Sequence, residues 1–174
     1  MVKTKDIVTQ ALVAAVLCVI SPFAIPVGPV PITLATFAVY MAATVKNTRT
    51  GLWAVVVYLA LGMVGLPVFS GFSGGYSRLA GVTGGFLIGY IPCAYVAGKI
   101  VDRFEQHVFI FPVALTAGAV LCYTFGIAWF VVQSGSSIQN AIAVCVVPFI
   151  VPEVIKIAMA SVIAPIIRRR ITVL

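Results

Sequence analysis

Residues 144–167 read VCVVPFIVPEVIKIAMASVIAPII, and the next three residues are Arg168, Arg169 and Arg170. About 20 consecutive, mostly apolar residues are enough for a helix to cross the hydrocarbon of a bilayer. This stretch, part of a longer run from Ile138 to Ile167, reads as a membrane span stopped by positive charge. Five more apolar runs precede it, covering residues 7–25, 31–45, 51–66, 79–101 and 108–132, with proline, glycine and charge at the breaks. The runs at 31–45 and 51–66 are short for spans. The expected fold is therefore an all-α, polytopic membrane protein of six transmembrane helices, forming one domain over residues 1–174.

Composition leaves little room for another class. The chain is 62% hydrophobic and 9% charged, with a mean hydropathy of +1.18, whereas a soluble domain carries about 25% charged residues. The first run is longer than the ~7–15 residues of a signal-peptide core, and no small-x-small cleavage site follows it. It is expected to remain as the first span.

The net charge of +7 does not point to nucleic acid. Such binding needs a basic patch mixed with groups that read or stack on bases, and here the basic residues flank apolar runs. Cytoplasmic loops retain lysine and arginine. With the N-terminus inside, the inner segments hold Lys3, Lys5, Lys46, Arg49, Lys99, Arg103, Arg168, Arg169 and Arg170, nine of the 11 basic residues. The expected topology has both termini cytoplasmic in the plasma membrane, with an outside loop between the third and fourth spans. Asp6, Asp102 and Glu105 also fall at the inner face.

Three charges escape this sorting: Glu153, Lys156 and Arg78. Glu153 and Lys156 lie within the last run, where a charge at the centre of a helix in lipid costs about 2.5–3.5 kcal/mol. Three residues apart, they share a helix face and can partner each other. The pair either locks helix packing or forms an intramembrane polar site, and the second reading is preferred because such residues usually mark a substrate or ion pathway. Pro148 and Pro152 free backbone carbonyls one turn back, which suits the wall of a wet cavity.

Arg78 follows the glycine-rich stretch 65–77, GLPVFSGFSGGYS, in which Phe69, Phe72, Ser73 and Tyr76 offer aromatic and hydroxyl surface. This resembles an outside loop or lid. Arg78 is either a solvated surface group or the captor of an anion, since arginine can clasp a carboxylate with two hydrogen bonds.

Other features are weaker. Gly81, Gly85 and Gly89 form a small-xxx-small stripe, which permits close helix approach, and Ala11 and Ala15 repeat the spacing with Ala14 alongside. Either stripe could serve internal packing or docking. The four cysteines (Cys18, Cys93, Cys122 and Cys145) lie in apolar runs at spacings that suit neither a metal clip nor a disulfide framework. His107 stands by a charged loop as an interfacial residue. The sequence has no phosphate-binding GxxxxGK[ST] loop, HExxH or GxSxG motif and no cluster of histidines or carboxylates, so no catalytic activity, metal or cofactor is expected.

Five segments resemble the BioY family, the biotin-specific S components of energy-coupling factor (ECF) transporters. They are ALVAAVLCV at 11–19, VPITLATFAVY at 30–40, VYLALGMVGLPVFSGFSGG at 57–75, GVTGGFLIGYIPCAYVAG at 81–98 and VVPFIVPEVIKIAMASVI at 146–163. The resemblance implies a six-helix subunit that captures biotin from the outside and works with a transmembrane coupling protein and two cytoplasmic ATPases. It also implies that Ala11 and Ala15 contact the coupling protein and that Glu153 and Lys156 line the ligand site. Two positions depart from the family pattern: Glu153 stands where aspartate is usual, and Ala35 where PITLQT has glutamine.

Biotin offers a carboxylate, a ureido ring and an apolar thioether body. Lys156 or Arg78 could hold the carboxylate, Glu153 could accept ureido N–H groups, and Phe69, Phe72 and Tyr76 could cover the apolar part. The competing reading is a self-sufficient, ion-coupled secondary transporter of a small carboxylate, with Glu153 carrying protons. Such transporters often show internal repeats, and the first half has no counterpart to PEVIK. A ligand-free assembly subunit is the third reading.

Overall fold

A computed structural model describes residues 4–26, 29–104 and 107–173. Lys3 and Glu105, assigned above to the inner face, lie outside the described residues. The described chain forms eight α-helices: α1 (Thr4–Ile20), α2 (Ala35–Thr44), α3 (Thr48–Met63), α4 (Tyr76–Ala80), α5 (Gly84–Arg103), α6 (Ile110–Ser134), α7 (Ile138–Cys145) and α8 (Ile150–Val173). Two short strands, β1 (Ala24–Ile25) and β2 (Ile32–Thr33), pair antiparallel between α1 and α2.

The helices follow the apolar runs, with shifted ends. The first run was expected to be helical through Ile25, but α1 stops at Ile20 and residues 24–25 become β1. Pro22 explains the stop, since it disfavours the helical conformation at Ser21 and supplies no amide donor. The second run starts as β2 and turns helical only at Ala35, whose amide donates to Thr33 Oγ1. The third begins earlier than expected because Asn47 caps α3, its Oδ1 accepting from Thr50 N at 2.8 Å. The fourth divides into α4 and α5. In the sixth, the helix breaks: α7 ends at Cys145, a single 3-10 turn covers Val147–Phe149, and α8 starts at Ile150. Pro148 lies in that turn. Pro152 sits in the first turn of α8, where a missing amide donor costs nothing.

Three helical segments are long and apolar enough to cross a membrane: 84–103, 110–134 and the interrupted 138–171. Helices α2 and α3 are apolar but shorter. The arrangement inverts that of a water-soluble bundle. On α8, Val151, Val154, Ile155 and Val162 are exposed, while Glu153, Lys156 and Arg168 are buried.

Helix α2 is almost wholly buried and packs against α1, α3, α5 and α8. Helices α5 and α6 approach closely through glycine. A Cβ at Gly85 would lie 2.7 Å from Phe125 O, and one at Gly89 would lie 3.0 Å from Cys122 O. The glycine stripe thus serves internal packing at Gly85 and Gly89. Gly81 precedes α5, and its carbonyl accepts from Trp129 Nε1 at 2.9 Å.

The charged ends gather at one end of the bundle. Lys46 pairs with Asp6 at 2.8 Å, and Arg168 pairs with Asp102 at 2.8 Å. Arg168 Nη1 also donates to Thr44 O at 3.1 Å, while Asp102 Oδ2 accepts from Thr48 N at 2.7 Å. Helices α2 and α8 consequently run parallel, both ending at this cluster.

Candidate functional site

At the opposite end, the helices enclose a cavity of about 660 Å³, counting its mouth. Ligand pockets combine apolar walls with a few polar anchors. Here Phe69, Tyr58, Phe86, Leu87, Tyr90 and Phe149 supply wall, and Thr36, Ser70, Arg78, Glu153 and Lys156 supply polar groups. The β1–β2 connection contributes Val30, Pro31 and Thr33.

Glu153 projects from the first turn of α8, just past the 3-10 break. A helix N-terminus favours negative charge, so the break places the carboxylate where the backbone stabilises it. Glu153 and Lys156 are 6% and 7% exposed, and Lys156 Nζ donates to Glu153 Oε2 at 3.2 Å. A buried carboxylate needs further donors to offset its desolvation. Tyr40 of α2 donates to Oε1, and Tyr123 of α6 donates to Oε2 at 3.1 Å. Thr36 is shared: its hydroxyl accepts from Lys156 at 2.8 Å and lies 3.5 Å from Glu153 Oε2.

Arg78 also lines the cavity but is exposed. Its guanidinium has no hydrogen-bonded or ionic partner among the described residues. Among the described residues, Arg78, Glu153 and Lys156 are the only charged ones in the lining. The site therefore carries one net positive charge.

Of the residues expected from sequence, the structure brings together Glu153, Lys156, Arg78 and Phe69. Phe72, Ser73 and Tyr76 are not in the cavity lining. Phe72 and Tyr76 are 63% and 74% exposed, and Phe72 sits edge-on to Phe23 with ring centroids 5.7 Å apart. Ser73 Oγ donates to the carbonyl of Ser70, which does line the cavity, at 2.8 Å. Of the three aromatic residues expected to cover the apolar part of a ligand, only Phe69 therefore lines the cavity. Phe69 is buried against Tyr58, centroids 5.6 Å apart, because the turn at residues 69–73 sends Phe72 the other way, with φ +53°.

Sequence reasoning missed Thr36, Tyr40 and Tyr123. Thr36 and Tyr40 stand one helical turn apart on α2 and so share a face. Polar residues repeating at that spacing inside an apolar run were the available signal. Tyr123 had no such companion. Ala35 lines the cavity, so the departure from glutamine at this position falls within the site itself.

The chain matches the BioY family over residues 1–173. It belongs to that family. It is 36% identical over 161 residues to the biotin transporter BioY of Thermotoga maritima, covering 92% of this chain and 94% of that protein. To the biotin transporter BioY of Rhizobium etli it is 36% identical over 169 residues, covering 91% and 90% of the two chains. Its fold also matches the crystal structure of the S component for biotin from an ECF-type ABC transporter, with a TM-score of 0.87. That match has 26% identity and covers 97% of this chain and 95% of the other.

Proposed function

We propose that this BioY-family chain is the substrate-capture subunit of a vitamin uptake transporter, binding biotin from the outside. Full-length kinship to biotin transporters carries the assignment, and the cavity's chemistry supports it. One net positive charge suits a ligand with one carboxylate. Arg78, the unpaired cation, takes the carboxylate, because Lys156 is already engaged by Glu153 and Thr36. The Glu153–Lys156 pair then faces the ureido ring, and Phe69, Tyr58 and Tyr90 enclose the thioether body. Ser73 steadies the lining through Ser70, while Phe72 and Tyr76 belong to the outer cover. The chain is a transport component, not an enzyme.

We read α1, α2, α3, α5, α6 and the broken α7–α8 pair as six spans of a plasma-membrane protein with both termini in the cytoplasm. The gathering of Asp6, Lys46, Asp102 and Arg168 at one end supports this topology, since it sets the inner charges opposite the cavity. On α1, Ala11 and Ala15 are exposed while Ala14 is buried. That small-residue face is the proposed dock for a transmembrane coupling protein, which would join two cytoplasmic ATPases to deliver biotin inward.

The test is a thermal-shift titration of the purified chain with biotin, thiamine and riboflavin. Ligand binding to the folded state raises stability by about 2.7 kcal/mol at one hundred times Kd, so a saturable shift with biotin alone is expected. A shift with another vitamin alone would correct the substrate. Arg78→Ala should weaken binding of biotin but not of its neutral amide.

A further inference from the structure

Resting on the biotin reading, we infer that Tyr40 is a positioning residue of the capture site, acting on the ligand through Glu153. Tyr40 is 1% exposed and is absent from the cavity lining, yet its hydroxyl donates to Glu153 Oε1. It sits behind the carboxylate and has no direct path to a ligand.

Two contacts cross one another between α2 and α8. On α2, Thr36 and Tyr40 lie four residues apart, and on α8, Lys156 and Glu153 lie three apart. Thr36 meets Lys156, and Tyr40 meets Glu153. An ionised carboxylate offers about four lone-pair sites. Tyr40, Tyr123 and Lys156 occupy three of them, and Thr36 makes only a 3.5 Å approach to the fourth. The tyrosines thus fix the rotamer of Glu153 from behind and from the side. Once fixed, Glu153 and Thr36 engage the ammonium of Lys156 and direct its remaining N–H into the cavity. A ligand donor reaching Glu153 competes with the weak Thr36 contact and leaves Tyr40 in place.

Phenylalanine at position 40 keeps the ring and removes only the donor. Two readouts separate positioning from simple packing: the biotin Kd and the infrared carboxylate band of Glu153, assigned by its loss in Glu153→Leu. Tyr40→Phe leaves Glu153 free to turn, so it should raise the Kd roughly tenfold, a change of about 1.4 kcal/mol, and also shift the band. Tyr123→Phe removes a donor from the other oxygen and should do both as well; it carries the test should Tyr40→Phe fail to fold. An unchanged Kd, or a weakened Kd with an unmoved band, overturns the positioning role alone. A wild-type chain that binds no biotin overturns both this role and the proposed function.

Discussion

The protein buries ionic clusters at both ends of α8 and arranges them differently. At the cavity end, Glu153 and Lys156 are each 8% exposed at the side chain, and their partners among the described residues come from α2, α6 and α8. At the other end, Arg168 is 5% exposed but its partner Asp102 is 30% exposed. There the arginine meets a carbonyl and a carboxylate that is itself held by Thr48. The first cluster opens onto empty volume, whereas the second ties helix ends together. A buried charge tied to helix ends, away from any cavity, reads as a fastening. One that adjoins a cavity reads as a site.

The sharpest way to break this distinction is Lys156→Met. Removing one partner of a buried pair costs about 3–5 kcal/mol because it strands the other charge. Unfolding of the unliganded protein in detergent should register that loss, and biotin binding should vanish. Asp102→Ala should come next, destabilising by about 1.5–3 kcal/mol through the charged hydrogen bonds it removes, while the biotin Kd stays within about twofold. Loss of biotin binding in this variant would merge the two clusters into one functional unit.

Replacing both cavity charges, Glu153→Leu with Lys156→Met, sharpens the contrast further. Buried pairs exchanged for apolar residues are often neutral or stabilising by about 1–4 kcal/mol, so the double variant should exceed Lys156→Met in stability yet still bind no biotin. The smallest effect belongs to Arg78→Ala. An exposed cation without partners should change stability by no more than about 0.5 kcal/mol, and its whole effect should appear in the affinity for biotin.

Much of the architecture was legible because the bilayer imposes it. Long apolar runs such as 110–134 have no other comfortable environment, and the charges of Glu153 and Lys156 announced themselves by contrast. Helix ends were harder to read. Hydropathy does not distinguish the helical Ile20 from the strand residue Ile25; Pro22 did. The fourth run likewise hid a division at residues 81–83. Within the site, charge was conspicuous but hydroxyls were not: Tyr40 and Tyr123 look like ordinary aromatic residues until the fold brings them to one carboxylate. Phe69 and Phe72, three residues apart in one motif, could not be told apart from sequence, because a local turn decides which faces inward.

The parallel run of α2 and α8 has a mechanical consequence. The two helices are pinned at two heights, Thr36 to Lys156 near the cavity and Thr44 to Arg168 at the far end. On α8 these pins are 12 residues apart, about 18 Å of helix, and between them the buried face presents Ala160 and Ala164. A beam held at two points cannot slide past its neighbour. With Tyr40 holding Glu153 as well, α8 cannot tilt alone: any movement that a ligand draws from it carries α2 along.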